Sequence, residues 1–429
     1  MDHRADTGSR MKPFTAQEAR EIVLGLDRPA VFLAMAQDWP ASRWDAARLS
    51  DLLQDKSLCF RIGRRRMDTE PQFETQCDYI EGTVKQFRSW VSGDSPELCG
   101  AFRRFDRAEF WAYADYKYLA VLFEDRADIL QDVLWEDFGF PGRGGRESTL
   151  WVGSRGANTP CHVDSYGCNL VLQVEGRKRW HLFPPEDTDH LYPTRIPYEE
   201  SSIFSRVNVV NPDWSRCPSF SNAHPHVVTL HPGQVLFVPR HWWHYVESVD
   251  DVTVSVNSWI ELDSDHESRV EEAITRMVVC VFKSADTSDL PDDWLNPTEG
   301  AATSHATNLE YLNQARTAYL QHERAATAGE SGGAADDGDA PPLKKRRLDR
   351  SSEVIGGHFG QYLLPVFPAS GDRNAGGEED AALRAETQDE GGASPGADTI
   401  ITSDAVLDCL VNPRVVRLVA QLLLKGPCR

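Results

Sequence analysis

Between Thr149 and Trp259 the chain divides into short strand-like runs every eight to twelve residues or so, and no other stretch limits its fold so tightly. The runs cover 149–153, 161–164, 168–174, 178–183, 226–231, 234–238, 242–249 and 252–259. Turn signals such as Pro184-Pro185 and Pro232-Gly233 punctuate them, since proline removes a ladder donor and glycine accepts left-handed backbone. Such spacing predicts an antiparallel double sheet or jelly roll, a mostly β fold with flanking helices. The stretch 186–222, rich in Pro, Asp, Asn and Ser, has little periodicity and is long enough for a lid or substrate loop.

Upstream, Thr15 can cap a helix over 16–25, with Glu18 completing a capping box. Residues 29–34 read as a buried strand, Trp44 to Leu53 as an amphipathic helix and Ser57 to Ile62 as a strand. Val84 to Val91 is helical in pattern, Tyr116 to Phe123 alternates like a strand, and Gly139 to Gly145 is a loop. Downstream, 266–283 forms a helix with Val270, Ile274, Met277 and Val281 on one face, and a weaker helix covers 308–324.

From 325 to 398 Ala, Gly, Asp, Glu and Ser dominate, which predicts a disordered acidic tail too poor in apolar groups to offset ordering entropy. Two islands interrupt it. The cluster Lys344 to Arg347 reads either as a nuclear import signal or as incidental charge. The apolar run Phe359 to Phe367 reads either as a docking motif or as a segment folded back on the domain. Two short helices, 404–411 and 414–424, carry Val415, Leu418, Val419, Leu422 and Leu423 on a wide face, suited to a homodimer or to docking on the barrel. The expected division is a loose 1–14, a domain over 15–265 (α/β part 15–148, barrel core 149–265), helices over 266–324, the tail, and a helical segment over 399–429.

Composition sets outer bounds. Apolar content of 41% and twelve tryptophans suffice for a real core. A formal charge of −21 argues against direct nucleic-acid binding, because a phosphate backbone would be repelled. Nine cysteines without a C-x-x-C pair, and no apolar run approaching the ~20 residues of a membrane span, predict a soluble cytoplasmic protein with import through Lys344–Arg347 as an added route.

Chemistry concentrates in Thr159-Pro-Cys-His162-Val-Asp164 and, about eighty residues on, Trp242-Trp-His244. Alternate residues of a strand face one side, so His162 and Asp164 can point inward together, with His244 arriving from a later strand. Two imidazoles and one carboxylate from separate strands are the ligand set that holds non-haem Fe(II) with open positions. Other histidines read differently. His224 and His226 flank a proline in a loop and face solvent; His241 faces away from His244. Trp242 and Trp243 are packing groups.

Together His162-x-Asp164, Lys178, the run Pro232 to Pro239, Trp242-Trp243-His244 and Val256-Asn257-Ser258-Trp259 resemble the JmjC family of Fe(II)- and 2-oxoglutarate-dependent oxygenases. Within it, residues 15 to 265 are most similar to the subgroup of the asparaginyl hydroxylase of hypoxia-inducible factor. The resemblance implies a double-stranded β-helix of cupin type, with His162, Asp164 and His244 as iron ligands. It implies that Thr159 and Lys178 bind the distal carboxylate of 2-oxoglutarate; the alternative for Lys178, in Arg177-Lys-Arg179, is a solvated basic edge. Tyr118, with Tyr116 as rival, would add a hydrogen bond; Asn169 and Asn257 would be amides near metal and cosubstrate. One extra residue between Asp164 and Asn169 departs from the hydroxylase pattern. The implied cofactors are Fe(II), 2-oxoglutarate and O2, and the implied partner is a protein substrate or a small heat-shock protein. Side-chain hydroxylation leads the reading over N-methyl removal; the alternative is a silent scaffold that binds the heat-shock protein.

Overall fold

A computed structural model describes residues 12–65, 68–285, 294–331, 359–369 and 403–425. Thr15 caps α1 (Ala16–Gly25) and Glu18 closes the capping box as expected. Strand β1 (Ala30–Phe32) is followed by α2 (Ala46–Leu53), β2 (Leu58–Arg64), β3 (Asp78–Gly82) and α3 (Val84–Ser92). Next come β4 (Phe110–Tyr118) and α4 (Leu119–Leu122). The strand expected over Tyr116 to Phe123 therefore starts earlier, and its second half turns into one helical turn. Tyr118, with φ −60° and ψ 120°, is the last extended residue before that turn.

Eight strands build the next part: β5 (Thr149–Ser154), β6 (Asn158–Asp164), β7 (Cys168–Glu175), β8 (Lys178–Phe183), β9 (Pro193–Glu199), β10 (Ser202–Ser205), β11 (His226–Leu230) and β12 (Val235–Val238). They are followed by β13 (Trp243–Ser248) and β14 (Val252–Ile260). The supposed loop 186–222 thus holds two strands. Its polar composition and prolines hid a local hairpin of β9 with β10, and the pairing of β10 with β6 is a long-range contact that no local pattern reveals.

These strands form two antiparallel sheets, the cupin-like architecture expected. The larger runs β1-β12-β7-β14-β5-β4-β2-β3 and the smaller β11-β8-β13-β6-β10-β9. Alternation sorts each strand into two faces. Leu170, Leu172, Val254 and Val256 pack outward with α1 to α3, whereas Val171 meets Trp180, Leu182 and Val246 between the sheets. Asn169, Ser255 and Asn257 share the parity of Val171 and face that interior too.

Helices α5 (Asp265–Ala285) and α6 (His305–Ser331) pack on each other, both longer than expected. On α5 the inward set is Val270, Ala273, Ile274, Val279 and Cys280; Val281 is exposed. The apolar island folds back. Strand β15 (Leu363–Pro365) adds to the free edge of β1 and buries Leu363 completely. Helices α7 (Ser403–Leu410) and α8 (Pro413–Lys425) dock on α5 through Leu407, Val411, Val416 and Ala420. At the other terminus Lys12 and Phe14 are already engaged, Lys12 with Asp38 at 2.9 Å and Phe14 against the core. The basic cluster Lys344–Arg347 lies outside the described residues.

Candidate metal centre

His162 and His244 sit directly opposite each other across β6 and β13, and their ring centroids are 4.2 Å apart. One ligand atom from each of His162, Asp164 and His244 lies within 4.8 Å of the others, a spacing that could hold a metal ion. Both imidazoles are fixed from behind. His162 Nδ1 lies 2.9 Å from Pro160 O and His244 Nδ1 lies 3.0 Å from Trp242 O. With a proton on each Nδ1, both Nε2 lone pairs are left free to bind a metal. Burial first, then neighbouring His244, pushes the His162 pKa down to about 4, so its ring is neutral near pH 7. Asp164 Oδ2 accepts from Trp259 Nε1 at 3.1 Å. This donor set fits a hard-to-borderline divalent cation such as Fe(II).

A local irregularity brings Thr159 to the same cavity. Thr159 and His162 are three apart and would face opposite sides in a regular strand. The pairing runs His244 to His162 but Val246 to Thr159, so β6 carries one extra residue around Pro160. That bulge turns both side chains inward. Pro160 suits it, because proline has no N–H to offer the ladder.

Deeper in the cavity lies Lys178, only 2% exposed. Its neighbours Arg177 and Arg179 face outward and pair with Asp250 and Glu247, so strand alternation turns Lys178 inward and it is not part of that solvated edge. Lys178 Nζ donates to Tyr113 Oη at 3.0 Å and Ser255 Oγ at 2.8 Å, and lies 5.1 Å from the Tyr113 ring centre. Among the described residues it forms no ion pair. Burial lowers its pKa to about 7, with Asp115 opposing. An ammonium held in a low-dielectric cavity without a carboxylate is a site prepared for an anion. Asn257 accepts from Trp151 Nε1 at 2.7 Å and donates to Asn169 Oδ1 at 2.9 Å, so the two amides form one buried pair beside the histidines.

The structure does not bring Tyr118 to this cavity: it is 55% exposed at the end of β4. Tyr113 and Tyr116 line it instead. These two are also three apart, and again a bulge explains it. Between Ala114 and Lys117 β4 gains a residue relative to β5, with Tyr116 at φ 51°. Sequence reasoning missed Tyr113, Ser255 and Trp151. The alternation of Trp111 and Tyr113 with alanines could have shown the first, and a step of two back from Asn257 the second.

The remaining histidines divide. His224 is largely exposed and bound to Asp187. His241, at φ 64°, has its Nε2 3.1 Å from Ser165 O and lines a different cavity. Trp242 and Trp243 are both buried, their indoles donating to Asp27 O and Thr188 Oγ1.

A family model described as a cupin-like domain matches residues 15–266. The chain is 50% identical to a rat (Rattus norvegicus) protein called HSPB1-associated protein 1, over 98% of this chain and 95% of that one. It is 49% identical to the human (Homo sapiens) protein of that name, over 98% and 96%. A lysine-specific demethylase 8 from Xenopus tropicalis is 34% identical over 56% of this chain and 49% of its own.

Proposed function

The chain belongs to the cupin-like JmjC family that includes the HSPB1-associated proteins 1, and from that premise we propose that it is an Fe(II)- and 2-oxoglutarate-dependent oxygenase that hydroxylates a protein side chain. One observation carries the reading. Two free imidazole Nε2 atoms and a carboxylate converge in a cavity that also holds a buried ammonium without a counter-ion.

His162, Asp164 and His244 would hold the metal, leaving positions for O2 and the keto acid. The chemistry such a metal supplies is oxidative decarboxylation of 2-oxoglutarate to succinate and CO2, coupled to C–H oxidation. The rest falls to this chain's own groups. Lys178, with Tyr113 and Thr159 beside it, offers a cation and hydroxyls to the distal carboxylate. Burial, then Asp115, holds the Tyr113 phenol well above its usual range, so it stays a neutral donor. The Asn169–Asn257 pair keeps an amide edge fixed, and the apolar walls Val171, Trp180 and Val246 exclude water.

Succinate formation by the purified full-length protein, dependent on Fe(II) and 2-oxoglutarate, tests this. Binding of metal and keto acid without any succinate, across a broad set of proteins and peptides, would return the scaffold reading. That second reading draws on the relatives named for association with HSPB1, and we propose a small heat-shock protein as partner, whether substrate or client. We further propose homodimerisation through α8, on its outward Leu418 and Leu422, cytoplasmic residence, on nine cysteines without a C-x-x-C pair, and nuclear import through Lys344–Arg347.

The tyrosine roles separate cleanly in a binding experiment. Tyr113→Phe is expected to weaken 2-oxoglutarate binding to the Mn(II)-loaded protein by roughly tenfold or more, the value of a hydrogen bond to a charged group. Tyr118→Phe should stay within about twofold of the parent in the same calorimetric titration, since an exposed tyrosine remote from the ligand contributes little.

A further inference from the structure

Strand β1 is Ala30-Val31-Phe32, apolar throughout and without the charge or bulge that guards many sheet edges. In the larger sheet only β15 lies beyond it. The segment 359–369 that carries β15 also reaches the smaller sheet. Pro368 bridges His226 at the start of β11, and Ala369 N donates to Pro225 O at 2.8 Å. The segment therefore seals the seam where the end strands of the two sheets meet.

The seal is slight. Leu33 N donates to Tyr362 O at 2.9 Å and Val366 N to Pro29 O at 3.1 Å. Two buried side chains straddle the sheet edge: Leu363 joins Phe32 on the outer face, and Val366 joins Val31 and Trp242 between the sheets. Three apart in extended chain, they point to opposite faces. The rest of the segment looks outward. Tyr362, Leu364 and Phe367 are exposed, Phe367 at 69%, so it anchors nothing. Beside it a cavity of about 640 Å³ stays open, with Leu24, Leu26, Trp242 and Phe367 in its wall. The segment thus leaves apolar wall unfilled. Ordering its backbone costs entropy against two buried side chains and a few main-chain hydrogen bonds, so the contact leans on its tether to the rest of the chain.

We propose that this seam is a docking groove for an extended, uncharged segment of a partner protein, and that residues 359–369 are its tethered stand-in. The partner segment needs one aliphatic residue for the outer face and a second three positions on for the inter-sheet side. Proline fits just before the second, as in Leu363-Leu-Pro-Val366. Val366 N points to β1, so alternation turns the missing N–H of Pro365 away from the ladder. Main-chain pairing supplies affinity and the two pockets supply selectivity. The stand-in sets the threshold. A tethered ligand competes at an effective concentration on the order of mM for a short linker, less for a longer one, and a free partner sees only the open fraction. A second copy of this chain brings the same segment without that advantage, so the fold-back outcompetes exchange between copies. The docking does not depend on the oxygenase reading.

The test uses the full-length chain. In the double variant Leu363→Ser, Val366→Ser the tethered segment loses both anchors. A fluorescein-labelled synthetic peptide of residues 359–369 should bind this variant at least about tenfold more tightly than it binds the parent, whose own segment competes. The peptide carrying the same two substitutions should bind neither. Hydrogen exchange checks site and fold together: amides of 30–33 should lose protection in the variant and regain it with peptide, while β5 and β14 stay protected throughout. The milder Val366→Ala should fall between parent and double variant. Partner chemistry is read with two random peptide pools offered to the double variant. One fixes leucine, proline and valine at the first, third and fourth of four adjacent places; the other fixes glutamate at the first and fourth. The first pool should be retained at least about tenfold over the second. Equal retention overturns the partner groove, and so does equal binding of the labelled peptide to parent and variant. Pairing of parent with double variant in gel filtration at micromolar concentration would make a second copy the occupant and overturn it too.

Discussion

His244→Ala should lower Mn(II) or Fe(II) affinity by more than about a hundredfold, because loss of a mere supporting partner behind a ligand already costs 10- to 100-fold. The geometry explains why no neighbour can substitute. His162 and Asp164 come from one strand, and among the described residues the third ligand of the cluster comes from β13. The neighbouring His241 is turned the other way, its Nε2 3.1 Å from Ser165 O. The fold should survive, as the ring lines a cavity and does not fill the core. The expected signature is therefore a metal-free melting temperature near the parent's and the disappearance of metal-induced stabilisation, which mass action otherwise guarantees. His226→Ala is the control: that ring packs on Trp242 outside the cavity and its loss should leave metal affinity alone. Parent-like metal binding by His244→Ala would end the metal-centre reading.

Much of this site could be read from the sequence because it obeys strand parity. His162 and Asp164 are two apart, and Lys178 stands out from Arg177 and Arg179 only once alternation is applied. The irregular parts do not. A bulge between Ala114 and Lys117 puts Tyr116 beside Tyr113, and one around Pro160 brings in Thr159, which the family resemblance names but strand parity does not. Tyr118 is what the resemblance alone implies, and the strand ends at that residue and leaves its ring exposed. Strands β9 and β10 are hidden differently: Pro193 and Pro197 interrupt the first, the second is short, and its other partner, β6, lies distant in sequence. The fate of Phe359 to Phe367 depended on an unfilled edge at β1, and an edge is visible only after the sheet exists.

Lys178→Met should produce two effects of opposite sign, and the pairing separates an anion anchor from a merely structural lysine. In the parent, the buried ammonium costs stability until an anion arrives, because its desolvation is offset only by two hydroxyls and two aromatic faces. Methionine fills similar volume without charge, so the ligand-free variant should resist denaturant as well as or better than the parent. Its 2-oxoglutarate affinity should fall by about 2–5 kcal/mol, some 30- to 5,000-fold, the cost of removing one member of a buried charge pair. The pH dependence supplies an independent check. The folded pKa of about 7 lies below the ordinary 10.5, so between those values the unfolded chain carries a proton that the native protein lacks. Raising pH across that window therefore stabilises the ligand-free parent, and below about 7 the penalty is present in full. The same proton governs binding in the opposite direction. The anion requires the ammonium, so affinity should fall by up to about tenfold per pH unit above 7, with proton uptake on binding. Unfolding curves near pH 7 and 9, together with titration calorimetry in two buffers of different ionisation enthalpy, measure both trends. A variant that binds 2-oxoglutarate as tightly as the parent, or a parent whose affinity ignores pH, would remove Lys178 from the cosubstrate site.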